Sequence, residues 1–147
     1  LSEQKNKPYK MRYAGSRGKG VIITLPFDPR KHKCDACGRR VGEEIKMTAF
    51  HHWWYAFQPE TVRKNPALAL ENTSELCYGC HQVADAIRAL LYANPSRVAN
   101  VMRCIEKKYR DRIINVMKAS LDVLEKSEKV ISDTAINLLK MVNKEDE

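Results

Sequence analysis

The sequence predicts a small α+β fold: a core closed by four cysteines, with a basic N-terminal arm before it and an α-helical C-terminal extension behind it. Three observations predict it. Two Cys-x-x-Cys pairs, Cys34/Cys37 and Cys77/Cys80, lie in one short chain. Short runs rich in β-branched and aromatic residues, Val21–Leu25 and Val41–Phe50, precede the second pair. From about Tyr78 onward, apolar residues recur at the three- and four-residue spacing of a helix face.

A chain of 147 residues, 44% of them hydrophobic, allows one domain or a small module with extensions. Small domains bury proportionately little surface and often need a staple. Four thiolates are the ligand count of a closed tetrahedral Zn²⁺ site, which is structural because no coordination position stays open. No apolar run approaches the ~20 residues of a membrane helix, so no membrane partner is expected. The Leu1-Ser2-Glu3-Gln4-Lys5 stretch is too polar for an export signal. A reducing, cytoplasmic compartment follows as the expectation, with the cysteines serving as zinc thiolates rather than disulfides. The fifth cysteine, Cys104, is expected in the core of a helix.

Charge is unevenly placed. The net charge is +8, and residues 1–50 hold 12 Lys/Arg against 5 Asp/Glu while the rest holds 14 against 13. A basic half favours a polyanionic partner, because cations that neutralise phosphates release condensed counterions; a solvated basic surface is the plain alternative.

Residues 1–29 read as the arm, with one short strand. Lys5, Lys7, Lys10, Arg12, Arg17 and Lys19 are interspersed with glycines and little apolar content, as suits a mobile segment that follows a phosphate backbone. The Gly15–Gly20 run is not a P-loop, since its spacing is wrong and no strand precedes it. Val21–Leu25 is the strand, ended by Pro26. Residues 30–93 form the central domain. His32 is expected to be an exposed member of the basic cluster ahead of Cys34. Arg39 and Arg40 follow the first cysteine pair and are placed to reach phosphate. Val41–Phe50 suits a hairpin, turning at Gly42, that delivers His51 and His52 at its end. Trp53, Trp54, Tyr55 and Phe57 are read as packing around a small site, with base stacking the lesser alternative. Pro59–Pro66 is expected to be a loop carrying Arg63 and Lys64, two more candidate phosphate contacts.

Residues 94–147 form the extension. Asn94 and Pro95 restart a helix as N-cap and first helical residue. Ile114, Met117, Leu121, Leu124, Glu128, Ile131, Ala135, Leu138 and Val142 follow a heptad rhythm with one charged exception. Two outcomes stay open: a coiled coil that makes a homodimer, or two helices folded back on the domain.

The ordered set His51-His52, Asn72 and Cys77-x-x-Cys80-His81, framed by two zinc knuckles, resembles the HNH endonucleases. The resemblance covers roughly residues 30–93, under half of the chain, and neither flank. It implies a ββα-metal core with a structural zinc on Cys34, Cys37, Cys77 and Cys80. It implies that His52 is the general base, that His51 and His81 hold a catalytic divalent ion, and that Asn72 holds the hairpin and orients the base. Asp85, one helical turn after His81 on the same face, is a candidate further ligand; an ordinary surface carboxylate is the other reading. Many family members carry Asp where this chain has His51. Two imidazoles suit Mn²⁺, Co²⁺, Ni²⁺ or Zn²⁺ better than Mg²⁺, so the identity of the catalytic ion is open.

The function implied is metal-dependent hydrolysis of phosphodiester bonds in DNA, with RNA the lesser substrate. Adjacent strand residues point to opposite faces, so the two histidines can hold separate roles. A non-catalytic, zinc-stabilised DNA-binding module is the alternative; it would need the cysteines and the basic arm but not the histidines. A third reading makes the helical extension an assembly scaffold that carries a zinc knob.

Overall fold

The β-branched Val21–Leu25 run does form a strand, and its partner is the segment just ahead of it. The computed structural model describes residues 7–14, 20–91 and 105–124. Strand β1 (Tyr9–Tyr13) pairs antiparallel with β2 (Val21–Leu25), Tyr9 opposite Leu25 and Tyr13 opposite Val21. Tyr13, Ile23 and Leu25 turn inward, while Lys10, Arg12, Ile22 and Thr24 turn to solvent. This corrects the expectation of a mobile arm over residues 9–13. The cations alternate with Tyr9, Met11 and Tyr13, and that period of two buries one face of the pair. Arg17 and Lys19, with the Gly15-to-Lys19 part of the glycine run, lie outside the described residues.

The central hairpin also differs from expectation. Residues 41–45 form a turn with Gly42 at φ +89°, and only Thr48–His52 is strand β3. Its partner is not the preceding segment but β4 (Thr73–Cys77), with Thr48 opposite Cys77 and His52 opposite Thr73. The connection between them contains α1 (Pro59–Lys64) and a 3₁₀ segment, Pro66–Leu70. The expected loop over 59–64 is therefore a helix. Pro59 sits in its first turn where no N–H is needed, Glu60 suits the positive end, and Arg63 and Lys64 suit the negative end. Val62 is its buried anchor.

β4 runs without a break into α2 (Tyr78–Leu91), a helix with the buried stripe Cys80, Val83, Ala84, Ala86 and Ile87. A 3₁₀ segment (Lys107–Arg112) leads into α3 (Ile113–Leu124), which packs on α2. Two apolar clusters result. Cys34, Trp53, Leu76, Cys77, Cys80, Ile87, Ile105, Val116 and Leu121 share one. Tyr13, Ile23, Leu25, Val62 and Ala69 share the other. Residues 105–124 thus belong to the core that contains the cysteines. Over 113–124 the helix folds back on the domain; Asn94, Pro95, Cys104 and the later heptad positions, from Glu128 to Val142, lie outside the described residues. No helix among the described residues is long and apolar enough to cross a membrane.

One buried carboxylate joins the parts. Glu75, in the middle of β4, is 2% exposed. Its Oε1 accepts the Lys31 backbone N–H (2.8 Å), and its Oε2 accepts those of His32 (2.8 Å) and Lys33 (3.3 Å) and the Thr48 hydroxyl (2.8 Å). The Glu75 N–H donates to Asp35 Oδ2 (2.7 Å), and its carbonyl accepts the Asp35 N–H (2.7 Å). Hydrogen bonds to an ionised acceptor contribute about 1.5–3 kcal/mol each, and a buried donor left unpaired costs as much. Glu75→Ala is therefore expected to lower unfolding free energy by about 3 kcal/mol or more. Denaturant unfolding of the metal-loaded protein checks this, and a loss under about 1 kcal/mol would contradict the assignment.

Candidate functional site

Four thiols converge at the base of β4. Cys34 and Cys37 come from the first knuckle, where Gly38 takes φ +77° and its N–H donates to the Cys34 carbonyl (3.0 Å). The Cys37 N–H points at Cys34 Sγ (3.5 Å). Cys77 ends β4 and Cys80 lies in the first turn of α2. The four Sγ atoms lie within 4.8 Å of one another. A tetrahedral site with metal–sulfur bonds of about 2.3 Å has sulfur–sulfur edges of about 3.8 Å. The Cys37–Cys77 separation is 3.8 Å. The donor set fits a structural metal ion such as zinc. Hydrogen bonds from Cys34 and Cys80 hold the Cys77 thiol well below its usual range, while those that Cys80 makes to Cys34 and Cys77 push its own thiol up.

Two arginines serve this cluster. Arg39 lies near Cys37, which raises its pKa, and pairs with Glu44 at 3.4 Å. Arg112 had no sequence signal. Its Nη1 lies 3.0 Å from Cys77 Sγ and 3.9 Å from Cys80 Sγ, and its guanidinium sits 4.7 Å over the Tyr109 ring. Gly79 makes this approach possible, because a Cβ there would meet Arg112 Nη1 and Tyr109 Cδ1 at 2.5 Å.

A second donor group lies one turn further along α2. His51, His81 and Asp85 place one ligand atom each within 4.8 Å of one another. His51 Nδ1 is 3.6 Å from Asp85 Oδ1, and His81 Nδ1 is 3.5 Å from Asp85 Oδ2. Bonds of about 2.1 Å to a tetrahedral ion would set such atoms about 3.4 Å apart. The geometry fits a cation, and Asp85 joins the two histidines rather than facing solvent alone. Burial, helped by the charges of His81 and Arg88, pushes the His51 imidazole down to about 3. It is therefore neutral at pH 7, the form that ligates. At Asp85 burial opposes ionisation, but the His81 hydrogen bond and nearby positive charge outweigh it and keep the carboxyl below its usual range.

His52 faces the other way, as alternation along β3 requires. His51 lies edge-on to Trp53 and His81, whereas His52 stacks on Tyr55 (4.7 Å, 19°) and meets Tyr13 edge-on. His52 Nε2 is 2.7 Å from the Ala69 carbonyl. A carbonyl only accepts, so Nε2 carries the proton and Nδ1 keeps its lone pair. Burial lowers the His52 pKa against the opposing effect of that hydrogen bond. Arg88, three residues after Asp85, lies 5.2 Å over Tyr55, and its charge acts on His51, His52 and Asp85 alike. It ties the two faces together electrostatically, and its spacing from Asp85 was available in the sequence.

Asn72 takes φ +60°, a left-handed turn that Asn tolerates, and its carbonyl accepts the Trp53 N–H (3.0 Å). Its backbone thus meets the residue that follows β3, while the His52 ring is held by Ala69 rather than by Asn72. His32 is 7% exposed with φ +60°, 3.5 Å from Asp28, which corrects the expectation of an exposed residue. The Glu75 carboxylate pulls its backbone inward. The other candidate phosphate contacts are dispersed. Arg12 is exposed on β1, Arg40 is exposed after the first knuckle, and Lys64 and Arg63 are exposed on α1, where Arg63 pairs with Glu60 at 3.2 Å. Compared with protein-family models, curated proteins and solved structures, the chain matches none.

Outer-shell partners of metal ligands typically contribute 10- to 100-fold to affinity. Arg112→Ala is expected to weaken retention of the thiolate-bound metal by about tenfold, with Gly79→Ala acting in the same direction. Competition with a chromophoric chelator measures it. Unchanged metal release in both variants would remove the role.

Proposed function

We propose that the protein is a metal-dependent endonuclease of the HNH type, a phosphodiester hydrolase acting on DNA. The observation that carries this reading is the cation-sized group His51, His81 and Asp85, with the next residue of β3, the buried His52, held at Nε2 by the Ala69 carbonyl. His52 Nδ1 is then left with a free lone pair, on a residue adjacent in sequence to a ligand of that group.

The chain's own residues divide the work. His52 Nδ1 accepts the proton of the attacking water, and the Ala69 carbonyl holds the imidazolium that forms. Tyr55 and Tyr13 fix the ring so that it cannot turn away. Arg88 supplies a fixed positive charge next to the developing negative charge on phosphate. A divalent ion held by His51, His81 and Asp85 would polarise the phosphate and stabilise the leaving oxygen. The four cysteines would hold Zn²⁺ as a staple, which anchors the first turn of α2 and so the position of His81. The products would be 5′-phosphate and 3′-hydroxyl ends, as the HNH resemblance implies. The excess of cations in residues 1–50 would supply backbone affinity without sequence information.

Supercoiled plasmid is expected to be nicked or linearised with Mn²⁺, Co²⁺ or Ni²⁺ at least as well as with Mg²⁺, since two of three donors are imidazoles. His52→Ala should lower the rate by about 10²- to 10⁴-fold with fold and zinc retained. Because the His52 pKa is depressed, the imidazole is already the free base at neutral pH. The acid limb of the pH–rate profile should therefore fall below about pH 6.5. No cleavage with any metal by a zinc-loaded protein that still binds duplex would favour the DNA-binding module instead.

A further inference from the structure

Two exposed apolar side chains stand beside His81. Met47, just before β3, is 57% exposed, and Tyr78, at the start of α2, is 63% exposed. Together with Thr48, Ala49, Leu76 and His81 they bound a slot of about 230 Å³. On the far side of Tyr78 lies a larger cleft of about 480 Å³ between the turn at 44–47 and the Lys107–Arg112 segment. Tyr78 and Met47 line both cavities, so the two are contiguous. Lys46, Lys108 and Arg112 border the cleft, and the Tyr109 ring meets Tyr78 edge-on at 6.3 Å. The one acid that lines it, Glu44, is turned to Arg39 at 3.4 Å. Lys46 is exposed and makes no ion pair among the described residues, and Lys108 pairs with exposed Glu106 at 3.3 Å while its Nζ lies 4.9 Å over the Tyr109 ring. A large apolar ring at the edge of a cationic cleft is energetically costly to leave in water and matches a ligand that is flat and apolar at one end and anionic at the other.

We propose that this slot binds an unpaired nucleobase of the strand being cut, stacked on Tyr78 and Met47, while the cleft beyond it takes a neighbouring phosphate on Lys46 and Lys108. The inference rests on the nuclease reading, because the slot's inner wall is His81, a residue of the cation-sized group. A base still paired in a duplex cannot offer its face to a side chain, so the preferred substrate is single-stranded, frayed or distorted at the cut. The slot selects for exposed bases but carries no hydrogen-bond code for which base, because its lining is apolar apart from Thr48 and His81.

The test compares a labelled oligothymidylate with an abasic phosphodiester of equal length, bound by the zinc-loaded full chain without added divalent metal and followed by anisotropy. The intact protein should favour the base-bearing strand by about tenfold. Tyr78→Ala should remove that preference, whereas Tyr78→Phe should keep it. Lys46→Gln combined with Lys108→Gln should weaken both ligands equally. Met47→Ala gives a second reading of the slot should Tyr78→Ala lose its zinc. No base preference in the intact protein, or a preference that survives both Tyr78→Ala and Met47→Ala, would overturn the inference. Plasmid cleavage by the same preparations separates the two ideas. Cleavage without base preference sinks the slot alone, and base preference without cleavage sinks the nuclease alone.

Discussion

The carboxylate of Glu75 is the constraint on which the rest depends. It gathers three successive backbone N–H groups of the segment before Cys34 and the hydroxyl of Thr48, and thereby fixes the first knuckle, β3 and β4 relative to one another. Neither knuckle holds two thiols against the other two unless that register is set. An ionised acceptor surrounded by backbone donors is a costly arrangement to lose, because each donor would be left buried and unpaired. The same carboxylate explains why His32 turns inward, and why the first knuckle rests on the strand that supplies the third and fourth thiols.

From that fixed point the chain gains its second group of donors by continuity. β4 passes into α2 at Cys77–Tyr78, so the thiols at positions 77 and 80 and the ligand atoms of His81 and Asp85 ride on one rigid element. The helical repeat places Asp85 one turn beyond His81, and β3 brings His51 against both. Structural metal binding and candidate chemistry are thus coupled mechanically but separated chemically. The four thiols lie close enough together to surround one ion, and the two imidazoles and the carboxylate make a separate group of three donors. Arg112 extends the coupling to the C-terminal segment, which closes over Gly79 because that residue has no side chain.

Much of this was legible in the sequence because ligand spacing is local. Cys-x-x-Cys, the His-His doublet and the four-residue step from His81 to Asp85 can be read without knowing the fold. Contacts made across the chain could not be. Glu75 accepts mainly from backbone groups, which any residues at 31–33 would supply, and its one side-chain donor, Thr48, lies 27 residues away with no spacing to mark it. Arg112 meets the thiols only after the chain has passed beyond α2 and returned. The strand at Tyr9–Tyr13 was obscured by its outward cations, which suggested an arm, although the inward tyrosines carry the alternation of a half-buried strand. Ala69 fixes His52 through a carbonyl, which has no sequence signature at all. The pairing of β3 with β4 rather than with the residues before it follows from where Glu75 and the thiols must meet.

The β4–α2 unit is proposed to contribute to two chemically different cation sites. Titration of the metal-free, refolded protein with Co²⁺ tests it most directly. Two ions per chain are expected. The first and tighter should give the thiolate-to-cobalt charge-transfer band of a tetrahedral sulfur site, and the second, weaker ion should give only d–d bands, lost in His81→Ala while the first remains. Saturation at one ion, with the sulfur band unchanged and no second spectral component, would contradict the claim and leave a zinc-stapled binding module.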